Sequence, residues 1–138
     1  MIEKNSEILV HNFTEQKISK MFLIKTVRKI LNILHKRINS LALVLILPAE
    51  IKKLNYYWRG INKATTVLTF SEGDIFLCPE EIKKQAFKRK IFQKKFYQLL
   101  LVHSILHLFG YTHDGKTDVK RMECLEAKVL NSLEKLEI

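Results

Sequence analysis

The 138 residues carry 24 basic against 14 acidic side chains, a formal charge of +10, and 47% of them are apolar. Such a length fits a single domain, residues 1–138, with apolar side chains enough for a core, and the charge favours polyanionic partners such as RNA or an anionic surface, unless it only reflects a lysine-rich genome. The longest apolar run, Leu41–Leu47, is too short to span a bilayer, and no basic segment leads into an apolar run at the N-terminus, so the expectation is a cytoplasmic protein without a membrane partner.

In chain order, Glu7–Phe13 reads as a strand. Thr14 then stands where a helix N-cap would, with Lys17 in place of the Glu of a full capping box. Ile18, Met21, Phe22, Leu31 and Leu34 recur at roughly helical period, predicting an amphipathic helix over Glu15–Lys36. Leu41–Leu47 is apolar throughout, as a central strand is, and Pro48 opens a short helix through Ile51, Leu54 and Tyr57.

A polar connection, Arg59–Lys63, leads to two strands, Ala64–Phe70 and Asp74–Cys78. The short gap at Ser71, Glu72 and Gly73 implies an antiparallel hairpin. Helical character dominates from Pro79, with Glu80 and Glu81 complementing the helix dipole. Whether one helix or two precede His103 is open. Asp118–Leu136 spaces Val119, Met122, Leu125, Val129, Leu133 and Leu136 by threes and fours, the pattern of a closing helix. The fold class is therefore α+β, about four strands in a mixed sheet packed with helices. Cys78 and Cys124 lack the spacing of a zinc ribbon or redox pair and are expected to be buried or half-buried thiols.

The chemistry concentrates in His103, His107 and His113, at spacings of four and six with Gly110 between the second and third. Residues i and i+4 share a helix face, so His103 and His107 can aim two imidazoles at one point. Gly110 permits the left-handed turn that ends a helix and brings His113 round. Three nitrogen ligands with a fourth position open is the composition of a catalytic zinc site; the competing reading is a histidine pair packed on an apolar helix. The spacing is that of H-E-x-x-H-x-x-G-x-x-H metalloproteases, but Ser104 replaces the Glu that serves them as general base.

The eleven positions from His103 to His113 resemble the motif H-G-x-L-H-L-x-G-Y-D-H of the YbeY family of single-strand endoribonucleases, rRNA maturation factors of bacteria. Leu54, Asn55, Trp58, Arg59 and Gly60 are similar to that family's L-N-x-x-Y-R-G, and Thr65–Phe70 to its T-D-V-L-S-F. Gly73, Asp74 and Ile75 match a further G-D-I, and Met122, Glu123 and Glu126 fall on the pattern of its closing helix. The chain departs at Thr66, Thr69 and Thr112, and loss of a carboxylate near a metal can remove a group that orients an imidazole. Asp114, one residue past His113, is a candidate substitute.

The resemblance implies a zincin-like site on a helix and its following turn, where His103, His107 and His113 hold one Zn²⁺. It also implies catalytic roles for Arg59 and His103, Arg59 meeting the charge that builds on a phosphodiester. The implied activity is zinc-dependent cleavage of single-stranded RNA, in rRNA maturation and ribosome quality control, with ribosomal proteins as possible partners. Attack by a zinc-activated water and attack by the RNA's own 2′-hydroxyl both remain open. A non-catalytic RNA-binding assembly factor with a structural metal is the alternative; a zinc peptidase is disfavoured by Ser104. The lysines from Lys83 to Lys95 suit an RNA backbone or a solvated helix face, and of Phe87, Phe92, Phe96 and Tyr97 beside them most are expected in the core.

Overall fold

In the computed structural model, which describes residues 7–111 and 115–136, the apolar run after Ser40 lies inside a four-stranded mixed sheet. The elements follow as β1 (Glu7–Asn12), α1 (Lys20–Leu34), β2 (Ser40–Leu45), α2 (Pro48–Arg59), β3 (Val67–Phe70), β4 (Asp74–Leu77), α3 (Pro79–Arg89), α4 (Gln93–Leu108) and α5 (Lys116–Leu136). Strand order is β1-β2-β4-β3. β2 pairs in parallel with β1 and β4, placing Leu43 opposite Ile75, while β3 returns antiparallel along β4. The fold class is thus α+β as expected, with β3 on the sheet edge.

Side chains alternate across the sheet. Leu43, Leu45, Ile75 and Leu77 point to one face and meet α1, α3, α4 and α5 in the main core, each contributing about 1.5–3 kcal/mol by leaving water. The other face is covered by α2, whose Ile51 packs with Ile46, Leu68 and Cys78 in a smaller cluster. Because both faces are covered, β2 needs no polar alternation. The tight β3–β4 turn depends on Gly73 at φ +103°, where a Cβ would come within 2.8 Å of the Ser40 carbonyl oxygen.

Several boundaries differ from the sequence expectation. Thr14 does not cap the first helix: its N–H and hydroxyl both bond to the Asn12 side-chain oxygen, making a separate turn, and Ser19 is the cap, accepting from the Phe22 N–H at 3.1 Å. β3 begins at Val67, three residues later than Ala64, and two helices precede the end of the histidine segment. The break falls at Lys90, which takes the left-handed conformation (φ 56°) and closes α3 through N–H bonds to Ala86 and Phe87. Cys78 is buried, but Cys124 is exposed on α5. Of the four aromatics, Phe96 and Tyr97 are in the core, whereas Phe87 and Phe92 are 86% and 87% exposed.

Tyr97 carries a stability prediction. Its ring is buried, and among the described residues its hydroxyl has no hydrogen-bond partner. Burial pushes the phenol well above its ordinary 10.0, because the charged form is the one desolvation penalises. The unfolded chain therefore ionises first, so this group's contribution is intact below the ordinary value and lost as the pH rises past it. Tyr97→Phe is expected to raise stability at neutral pH by about 1 kcal/mol and to flatten the alkaline decline. Thermal melts between pH 7 and pH 11 check both; a lower melting temperature for the variant would count against them.

Candidate active site

α4 is apolar around most of its circumference because it runs through the core, with Leu101, Val102, Ile105 and Leu106 fully or almost fully buried. His103 and His107, one turn apart, occupy the side turned toward β3. Their ring centres are 4.5 Å apart and the two Nε2 atoms approach to 3.0 Å. The i,i+4 spacing thus brings the imidazoles to one point, as expected.

Behind His103 stands Glu126 of α5. Its Oε1 accepts from His103 Nδ1 at 2.6 Å, in a half-buried position. A carboxylate on Nδ1 holds the proton there and leaves Nε2 with its lone pair facing His107. Glu126 matched the family pattern, yet its role was not legible in the sequence, since 23 residues separate it from its partner. Ser104, beside His103, is buried, and its hydroxyl has no partner among the described residues. It does not face the cavity.

The helix ends as Gly110 was expected to end it, at φ +89°. The Tyr111 N–H returns to the Leu106 carbonyl at 3.1 Å and the Gly110 N–H to His107 at 3.0 Å, satisfying two carbonyls of the last turn. The third expected ligand, His113, lies outside the described residues together with Thr112 and Asp114. Among the described residues no cluster of three His, Cys, Asp or Glu side chains is placed to hold an ion.

Arg59 reaches the same cavity from α2. It is the last residue of α2, after which Gly60 turns the chain at φ +70° and donates to the Tyr56 carbonyl at 2.9 Å. Buried Asn55 anchors the exit by donating from Nδ2 to the Lys63 carbonyl at 2.9 Å. The Arg59 side chain therefore lines a cavity of about 590 Å³ with His103, His107, Thr65 and Thr69. Among the described residues no carboxylate pairs with its guanidinium. Three of the four expected site residues thus share one cavity on the edge strand.

The donor set fits a metal on the part that is described. Two imidazole nitrogens converge, and a carboxylate fixes the tautomer of one of them, the arrangement that histidine ligands of zinc commonly show. No helix of the described residues is long and apolar enough to cross a membrane.

The family model described as Endoribonuclease YbeY matches residues 9–134. An Endoribonuclease YbeY of Buchnera aphidicola subsp. Baizongia pistaciae is 38% identical over 96 residues, 62% of this chain and 62% of that protein. The one from Phytoplasma australiense is 32% identical over 142 residues, 92% of this chain and 95% of the relative. Among solved structures, the solution structure of a Thermotoga maritima protein is similar with a TM-score of 0.61 at 25% identity, covering 94% of this chain and 91% of that one.

Proposed function

Because the chain belongs to the endoribonuclease YbeY family, we propose that it is a zinc-dependent endoribonuclease acting on single-stranded RNA, rRNA included, in the cytoplasm. Its 138 residues serve as one catalytic domain, with ribosomal components as partners. The observation that carries this reading is the pair of Nε2 atoms 3.0 Å apart, braced by Glu126, in the same cavity as Arg59.

His103, His107 and His113 are the residues that would hold the zinc. Bound there, the ion supplies Lewis acidity and a water activated near neutral pH. Glu126 keeps His103 in the ligating tautomer. A phosphodiester under attack accumulates charge on its non-bridging oxygens, and the Arg59 fork can bond two of them at once. Thr65 and Thr69 add hydroxyls to the wall that receives the strand. The buried Ser104 leaves the position of a peptidase base without a carboxylate, which favours phosphodiester over peptide chemistry.

Two measurements test the metal part independently of activity. Protein stripped with chelator and dialysed against zinc is expected to retain one equivalent per chain. Glu126→Gln, which keeps the shape but removes the carboxylate charge that faces Nδ1, is expected to bind zinc about 10- to 100-fold more weakly. Unchanged zinc affinity in that variant would sink the role given to Glu126.

A further inference from the structure

The cavity of Arg59 and the histidines does not end at His103. A second cavity of about 400 Å³ adjoins it, sharing Thr65, Val67 and His103 with the first and continuing past Thr66 to α3. Glu81, Gln85 and Arg89 line its far wall; at intervals of four they share one helix face. Together the two cavities form a groove along the free edge of the sheet, with Arg59 at one end and Arg89 at the other.

Arg89 is held in place before any ligand arrives. Its guanidinium carbon lies 5.1 Å from the ring centre of Phe96, which is itself only 2% exposed and fixed by the core. A planar cation seated on an aromatic face keeps its edge donors available and has less freedom to lose on meeting an anion. Glu81, the acid that lines the groove among the described residues, is offset by Lys84 at 3.7 Å. A groove with a cation at each end and threonines between suits a strand that carries a charge at every residue.

We propose that Arg89, seated over Phe96 at the α3 end of this groove, forms a second phosphate-binding subsite for the RNA strand. The subsite rests on the endoribonuclease reading for its ligand. It makes α3 part of the substrate grip, which a strand reaches only by extending beyond the scissile linkage. Lys88, next in sequence, lines a different cavity with Phe87 and Phe92 on the far side of α3, so its charge is outside the groove.

The test is binding of fluorescein-labelled single-stranded RNA, a twelve-mer and a dinucleotide, followed by anisotropy across a salt series on chelator-treated protein, so that the strand stays intact. Arg89→Ala, and Arg89→Gln to keep a stem over Phe96, are expected to weaken twelve-mer binding by about 5- to 10-fold. They should also lower the slope of log affinity against log salt by about 0.7. Dinucleotide binding should be unchanged, and Lys88→Ala, with the same loss of charge, should do less than either. Where cleavage is measured, the effect should fall on KM and leave kcat.

Arg89 variants that bind the twelve-mer as the wild type does would overturn the subsite, as would equal effects from Lys88→Ala. These outcomes are read from binding, so they stand apart from the catalytic reading, which fails separately if wild-type protein binds RNA and zinc without cutting.

Discussion

His107→Ala is expected to abolish RNA cleavage, by about a thousandfold or more, while leaving the fold in place. His107 is only half-buried, its ring stacks edge-on against His103 at the cavity wall, and it belongs to neither cluster of core side chains. Alanine is the better helix former, so nothing in α4 opposes the exchange. What disappears is one of the two converging nitrogens. The expected signature is therefore a normal far-ultraviolet circular dichroism spectrum and melt, zinc content well below one equivalent, and no cleavage above background. A variant that loses zinc yet cuts RNA at the wild-type rate would remove the histidines from the mechanism.

Arg59→Ala is the second large effect, and it separates from the first by what it spares. Arg59 lines the same cavity as the histidines but is not among the converging nitrogens, so zinc content should be unchanged. Removing a positioned donor from developing charge costs about 10²–10³-fold in kcat. Arg59→Lys should recover only a small part, because an ammonium cannot present two parallel donors to two phosphoryl oxygens. Full activity in Arg59→Lys would mean that bulk positive charge suffices, and that the fork geometry at the end of α2 is irrelevant. Cleavage kinetics with zinc analysis on the same preparations decide between these.

Much of this arrangement was legible from residue types alone. An unbroken apolar run from Leu41 reads as a strand covered on both faces, and it is β2. Pro48 and Pro79 stand at helix starts, and Gly60, Gly73 and Gly110 sit at positive φ where the chain turns. His103 and His107 converge because helix periodicity leaves them no alternative. What escaped was set by contacts between residues that local pattern does not connect. Thr14 looks like a cap until the Asn12 side chain takes its N–H. The break between α3 and α4 falls at Lys90, a residue with no special tolerance for the left-handed conformation it adopts.

Glu126 illustrates the same limit at the site itself. Its helical spacing placed it in α5, but only the return of α5 against α4 shows that it reaches His103. Arg89 was one of many cations in a lysine-rich stretch. Its separation from Lys88 depends on which wall of α3 faces the groove and on Phe96 lying beneath it. The exposure of Phe87 and Phe92, against the burial of Phe96 and Tyr97, likewise follows from the break at Lys90, since α3 and α4 take their orientations separately.

The most direct test of the endoribonuclease account is cleavage of a single-stranded rRNA fragment by zinc-reconstituted wild-type protein, beside the same sequence annealed into a duplex and His107→Ala protein purified in parallel. The account requires internal cuts in the single strand, few or none in the duplex, and none with the variant. RNA left intact by a wild-type protein that holds zinc and binds the strand, or cut equally by wild type and variant, would contradict it.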